Sequence, residues 1–120
     1  MGYAELVQRY HKSGRKLKDE ELIQHYRKND LKMSEADFLK YYHDNNQKVT
    51  PAVTALFLDN GTTAHTIRIR ARNGRCPYAK AYNGKGRFIY RINPYLAIQC
   101  KNGELDNYGF SMPDYYFPVL

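Results

Sequence analysis

The stretch HTIRIRARNGRCPYAKAYNGKGRFIYR, residues 65–91, decides how the second half of this sequence is interpreted. It contains eight lysines and arginines and no acidic residue. Isoleucine and arginine alternate in its first part, as they do in a strand whose two faces meet different surroundings. The stretch therefore predicts a basic sheet surface, which is either a binding site for a polyanion or only the solvent-facing side of a sheet.

Four Asn-Gly dipeptides around this stretch favour a sheet. Both residue types tolerate the positive φ angles of type I′ hairpin turns. The dipeptides occupy residues 60–61, 73–74, 83–84 and 102–103. Because β-branched and aromatic runs separate them, the second half predicts an antiparallel meander. Its strands are expected at about residues 52–59, 62–72, 75–82, 87–93, 95–101 and 104–111.

The first 48 residues predict three short helices. Apolar side chains recur at helical spacing in Tyr3–His11 and again in Asp19–Lys28. A third helix is expected after Ser34, a typical N-cap residue, and it should end at the pair of asparagines at residues 45–46.

The helices and the meander together predict one α+β domain over residues 1–120. Short N-terminal helices occupy residues 1–48, and a five- to six-stranded antiparallel meander sheet follows within residues 52–120. The tail FSMPDYYFPVL, residues 110–120, contains two prolines and is expected to cross the sheet as an irregular strap.

The sequence allows two registers for the predicted sheet after residues 83–84. Alternation places Arg68, Arg70 and Arg72 on one face, and a turn at residues 73–74 adds Arg75 to it. Beyond the next turn, either a one-residue bulge preserves this basic face, or aromatic residues of the fourth strand join the arginines.

Basic residues are concentrated in one acid-free segment. The net charge is +7, and no Asp or Glu lies between Asn60 and Gly103. Nine lysines and arginines fall in this gap, and a second acid-free run, Arg9–Lys18, holds five more. Since solvated surfaces usually mix both signs, a segment of one sign is expected to attract polyanions.

These features predict a small, basic, non-catalytic nucleic-acid-binding protein that uses an Arg- and Tyr-rich sheet surface. Arginines suit phosphates, and aromatic rings among basic residues suit exposed bases. The expected partner is DNA or RNA, or an acidic surface of a nucleic-acid-handling protein. The residues expected to form the surface are Arg68, Arg70, Arg72, Arg75, Tyr78, Lys80, Tyr82, Lys85, Arg87, Tyr90 and Arg91.

Two alternative functions fit the same composition. The first is an inhibitor or adaptor of phage or plasmid type that binds a host protein, such as a CRISPR nuclease or a polymerase, because Tyr and Arg are also favoured at protein interfaces. The second is a metal-independent ribonuclease, which needs a base, an acid and a cation. The residues available for that chemistry are His65, Lys80, Tyr90 and Arg91.

Other function classes lack their motifs. No apolar run is long enough for a transmembrane helix, and the first residues lack the apolar stretch of a signal peptide. Two cysteines are too few for a disulfide scaffold, and the four histidines lack metal-ligand spacing. The third helix is too acidic to act as the reading helix of a helix-turn-helix. We therefore expect no metal, cofactor, catalytic residue or membrane contact, and a cytoplasmic location.

Overall fold

The computed structural model describes residues 2–117, which form mostly helices. The helices are α1 (Tyr3–Lys12), α2 (Asp19–Lys28), α3 (Glu35–Asp44), α4 (Pro51–Leu58), α5 (Ala64–Arg72) and α6 (Pro94–Lys101). Between α5 and α6 lies an antiparallel hairpin of β1 (Ala79–Asn83) and β2 (Phe88–Ile92). A short 3₁₀ turn, Asp114–Tyr116, follows α6 near the end of the described range.

The first three helices lie where the apolar spacing predicts them. Ser34 caps α3 as expected, since its Oγ accepts a hydrogen bond of 3.1 Å from the backbone N–H of Asp37. The helix ends with Asn45 as its C-cap residue. Apolar periodicity and capping residues therefore predict the positions of these three helices correctly.

The predicted five- to six-stranded meander is wrong. Residues expected as strands at 52–59, 62–72 and 95–101 form α4, α5 and α6 instead. The expected strand at 104–111 is irregular, and the sheet is reduced to the hairpin of β1 and β2. The fold is thus helix-rich with one small sheet, and α+β describes it only loosely.

Capping residues explain why these segments are helical. Thr50 and Thr63 precede α4 and α5, and each hydroxyl accepts a hydrogen bond from the backbone N–H three residues later, at 3.3 and 3.1 Å. Asn93 caps α6 in the same way, and its Oδ1 accepts from the N–H of Leu96 at 3.2 Å. Proline follows the cap of α4 and of α6, where its missing N–H costs no intrahelical bond.

The Asn-Gly dipeptides end helices more often than they turn hairpins. At residues 73–74, Asn73 is the C-cap of α5, and Gly74 has a φ of 67°. The N–H groups of Gly74 and Arg75 donate to the carbonyl oxygens of Ala71 and Arg70 at 3.1 and 2.8 Å, which is the Schellman pattern. Residues 102–103 end α6 with the same two bonds. In the described range, only the pair at 83–84 lies in a hairpin.

The alternation of isoleucine and arginine in α5 also satisfies a helix. Ile67 and Ala71 are four positions apart and buried, while the other isoleucine, Ile69, is exposed. In the hairpin, Asn83 pairs with Phe88, which leaves a four-residue loop at 84–87. Phe88 and Tyr90 share one face of the hairpin with Ala81. Neither expected register applies, because the arginines that were to form the basic sheet face lie on α5 and in the turn after it.

The central helix is α4, which packs against α2, α5 and α6. Most of its side chains are buried, as expected for a helix that is apolar all round. Phe57 of α4 stacks on Phe38 of α3, with 4.2 Å between ring centres. One core cluster joins residues of all six helices and both strands.

Four tyrosines donate hydrogen bonds to acidic residues in the helical half. The hydroxyl groups of Tyr3 and Tyr10 donate to Asp44 and Glu21 at 2.8 and 2.6 Å. Tyr26 and Tyr41 donate in the same way, and their acceptors are Asp37 and Asp19. Four of the eight acids in the first 50 residues therefore accept a hydrogen bond within this core.

Candidate nucleic-acid interface

The predicted arginine row lies on a helix, so it does not form one face. Arg68 and Arg72 are one helical turn apart and point to the same side of α5. Arg70 lies midway between them in sequence and therefore points to another side. Arg75 follows the helix, after its C-cap.

Three of these arginines instead lie over aromatic rings. The guanidinium carbons of Arg70 and Arg75 are 5.0 and 4.4 Å from the ring centres of Tyr108 and Phe110. That of Arg72 is 5.6 Å from the ring centre of Phe88. We call these six residues the arginine–aromatic surface; within it, the pair of Arg72 and Phe88 lies on a different side of α5 from Arg70 and Tyr108.

The aromatic members of this surface are unusually exposed. Tyr108 and Phe110 retain 70% and 72% of their accessible area, and Phe88 retains 41%. Large apolar rings are normally buried to a much greater extent, and exposed patches of them mark interaction sites. The three rings are therefore candidates for contact with a ligand.

Backbone hydrogen bonds hold the two sides of this surface together. The N–H of Ser111 donates to the carbonyl of Gly74 at 2.9 Å, and its hydroxyl donates to that of Cys76 at 2.9 Å. These bonds fix the segment that carries Tyr108 and Phe110 against the Schellman turn at the end of α5. The surface is thus prearranged by the fold.

The arginines of this surface form no ion pair within residues 2–117. The ion pairs of this range join Arg15 to Glu21, Lys32 to Asp59 and Lys80 to Asp114. The positive charges near the end of α5 therefore have no carboxylate within 4.0 Å among the described residues. Arg72 and Arg75 are exposed and available to phosphate groups, whereas Arg70 is half-buried and its Nε donates to the carbonyl of Arg75 at 3.3 Å.

Tyr78, Lys80 and Tyr82 have structural roles. Tyr78 is completely buried. Lys80 forms an ion pair of 2.6 Å with Asp114, and the hydroxyl of Tyr82 donates to the same carboxylate at 3.2 Å. The hydrogen bond from Lys80 and its charge lower the pKa of Asp114. These contacts fasten residues 112–116 to the hairpin face opposite α5.

The remaining predicted residues lie around the hairpin. Lys85 and Arg87 are exposed in its loop. Tyr90 and Arg91 of β2 line a pocket of about 400 Å³ together with Arg68 of α5. The eleven predicted residues therefore do not form one site. They lie in the arginine–aromatic surface, in this pocket, in the exposed hairpin loop, and in the core or the contact with Asp114.

The four residues considered for ribonuclease chemistry lie in three places. Lys80 and Tyr90 are on opposite faces of the hairpin, and His65 is exposed in the first turn of α5. Arg91 places its guanidinium carbon 5.0 Å from the ring centre of Tyr82. Lys80 is already held by Asp114, so the set lacks the expected convergence.

Metal-ligand groups, membrane-spanning helices and a DNA-reading helix can each be checked within residues 2–117. Between residues 2 and 117, no group of three or more His, Cys, Asp or Glu is placed to hold a metal ion. None of the helices described there has the length and apolar character needed to cross a membrane. In α3, Phe38, Tyr41 and Tyr42 are buried, and the exposed side carries two acids and one lysine, Glu35, Asp44 and Lys40, which is a poor match to the phosphates along a DNA groove.

Sequence reasoning missed Phe88, Tyr108 and Phe110 as site residues. Tyr108 and Phe110 fall in the segment expected as a strand, where alternate aromatics are ordinary. The available signal was their context, NYGFS, in which polar and flexible residues flank two aromatic ones.

Comparisons with protein-family models, with curated proteins and with solved structures gave no match.

Proposed function

We propose that this protein binds single-stranded nucleic acid through the arginine–aromatic surface. The observation that carries the proposal is that Arg70, Arg72 and Arg75 each lie over a solvent-exposed aromatic ring and form no ion pair with a described acid. Proteins that hold single strands combine these two elements, since aromatic rings stack on bases and cations follow the phosphates.

Single strands suit this surface better than duplexes do. The bases of a duplex are stacked on each other, and only their edges are accessible in the grooves. Unpaired bases can instead stack on Tyr108, Phe110 or Phe88. Arginine adds a second planar group to each ring, and its N–H donors match phosphate oxygens.

The direct test measures how much the exposed rings contribute. Fluorescence anisotropy of a labelled 20-nucleotide single strand would be recorded for the parent and for Tyr108→Ala and Phe110→Ala. Stacking contributes about 1–3 kcal/mol for each base, so each variant should bind about 5- to 150-fold more weakly. Tyr115→Ala is the matched control, because Tyr115 is 77% exposed and is paired with Tyr116.

Two results would contradict the proposal. One is equal affinity of all three variants and the parent, which would show that the rings do not stack on bases. The other is absence of binding to any single strand by the parent while it captures a protein from nuclease-treated lysate. The partner of this surface would then be a protein.

A further inference from the structure

A second basic feature lies beside the arginine–aromatic surface. It is the pocket of about 400 Å³ between the N-terminal end of α4, the side of α5 and strand β2. Its volume is in the range of pockets that hold small organic ligands, about 300–1,000 Å³. Arg68 lies in this pocket, one helical turn before Arg72 on the same side of α5.

The charge of this pocket has one sign. Lys48 and Arg68 bring their charges to it, and none of its described lining residues is an Asp or a Glu. Arg91 also lines it, but its guanidinium lies over the ring of Tyr82 on the other face of the hairpin. Thr50 and Pro51, at the first turn of α4, also line it, and the N-terminal end of a helix carries partial positive charge. The electrostatics favour an anion with more than one negative charge.

The rest of the lining is aromatic and apolar. Tyr42, Tyr90 and Phe117 contribute rings, and Ile89 contributes an exposed aliphatic side chain. A ligand that suits both parts has a planar apolar group beside a phosphate. A nucleotide has this composition.

We infer that the pocket binds the terminal nucleotide of a single strand through its phosphomonoester. A terminal phosphate carries close to two negative charges at neutral pH, whereas each phosphodiester within a strand carries one. Lys48 and Arg68, with no acid among the described lining residues, therefore favour the strand end over an internal position. This inference rests on the proposed function, because the strand would continue from Arg68 towards Arg72 and Phe88.

The test compares strands that differ only in their ends. Ten-nucleotide thymidine strands with a 5′-phosphate, with a 3′-phosphate, with hydroxyl groups at both ends, or circularised would be titrated into the protein. One phosphorylated form should bind at least about tenfold more tightly than the hydroxyl form, as one additional charge-assisted contact implies. The form that gains affinity identifies the end that enters the pocket.

Variants connect this preference to the pocket. Lys48→Gln and Arg68→Gln should each reduce the ratio between phosphorylated and hydroxyl strands, while Lys12→Gln in α1 should leave the ratio unchanged. Lys48 and Lys12 are both exposed, so neither substitution should disturb folding. Circular dichroism would verify the fold of each variant.

The outcomes separate this inference from the proposed function. Equal affinity for all four strands, or a preference that Lys48→Gln and Arg68→Gln leave intact, would overturn the inference and leave single-strand binding standing. Thymidine monophosphate and thymidine would be titrated as well. Binding of the monophosphate alone, without binding of any strand, would support the pocket and overturn the proposed function. Absence of binding by all probes would overturn both.

Discussion

The guanidinium of Arg75 lies over the ring of Phe110, with 4.4 Å between its central carbon and the ring centre. The two residues come from separate segments, the Schellman turn after α5 and the loop after α6. The hydrogen bond from the N–H of Ser111 to the carbonyl of Gly74 joins these segments directly. An arginine and an exposed aromatic ring are thus held in contact by the backbone.

Replacing Arg75 by lysine should separate charge from stacking. Lysine keeps the positive charge but loses the planar group that covers Phe110 and donates in pairs to phosphate. A hydrogen bond to a charged group contributes about 1.5–3 kcal/mol, so loss of one of the paired bonds to a phosphate should weaken single-strand binding by at least about tenfold. Fluorescence anisotropy measures this difference. Unchanged affinity would show that only the charge matters at this position.

Gly74→Ala should destabilise the fold. Gly74 has a φ of 67°, in the left-handed region that residues with a Cβ avoid. The substitution should lower the free energy of unfolding by about 1–2 kcal/mol, as measured by urea denaturation. Gly2→Ala is the control, because Gly2 has a φ of −82° and a Cβ there meets no neighbour within 4 Å. Equal effects of the two variants would contradict the proposed ending of α5.

Tyr3→Phe should destabilise the helical half. Tyr3 is buried, and its hydroxyl donates to Asp44 at 2.8 Å. Loss of this hydrogen bond should cost about 0.5–1.5 kcal/mol. Tyr108→Phe should have little effect, since Tyr108 is 70% exposed and sits outside the core. Urea denaturation of both variants checks this, and an unaffected Tyr3→Phe protein would show that the bond contributes nothing.

Stability should fall at alkaline pH because of the buried tyrosines. Burial, and then the nearby carboxylate of Asp37, raise the pKa of Tyr26 from 10.0 to about 12. Between these values the folded protein retains a proton that the unfolded chain has lost. The contribution of Tyr26 to the free energy of unfolding is therefore fully present below pH 10 and is lost as pH rises towards 12.

The corresponding measurement is the urea midpoint at several pH values from 8 to 11. The midpoint should decrease above pH 10, and Tyr26→Phe should make that decrease less steep. Burial also raises the pKa values of Tyr3 and Tyr41, so part of the decrease will remain in the variant. An equally steep decrease in the variant would exclude Tyr26 as a contributor.

The helical half could be predicted because its signals are local. Ser34 and Asn45 bound α3, and apolar residues at helical spacing fill the helices between such caps. The second half could not be predicted in this way, since its strongest signal has two meanings. Asn-Gly supplies the positive φ that a hairpin requires and also the one that ends a helix.

The capping residues before α4, α5 and α6 would have resolved this ambiguity. Thr50 followed by proline, and Asn93 followed by proline, are typical helix starts. The strands expected at 87–93 and 95–101 instead place a break between two strands at this Asn-Pro pair. The alternation at residues 67–71 also misled, because isoleucine at 67 and alanine at 71 satisfy a helix equally well.

The candidate site was only partly predictable. The acid-free segment predicts basic side chains without acidic partners; among the described residues Arg70, Arg72 and Arg75 form no ion pair, whereas Lys80 pairs with Asp114. Which aromatic rings meet them depends on contacts between α5, the hairpin and the loop after α6, and these contacts are distant in sequence. Lys80 shows the same limit, because its partner Asp114 lies 34 residues later in the sequence.

The most direct test of the central claim is the salt dependence of single-strand binding. For single strands, each phosphate contact contributes about −0.7 to the slope of log K against log salt concentration. Substituting Gln for both Arg72 and Arg75 should therefore weaken binding and flatten the slope by about 1.4 units. The control variant carries Gln in place of both Arg9 and Arg27, which are exposed arginines of α1 and α2. It loses the same amount of positive charge as the first variant. A flattened slope for the first pair and little change for the second is the predicted result. Equal slopes for the parent and both variants would contradict the account.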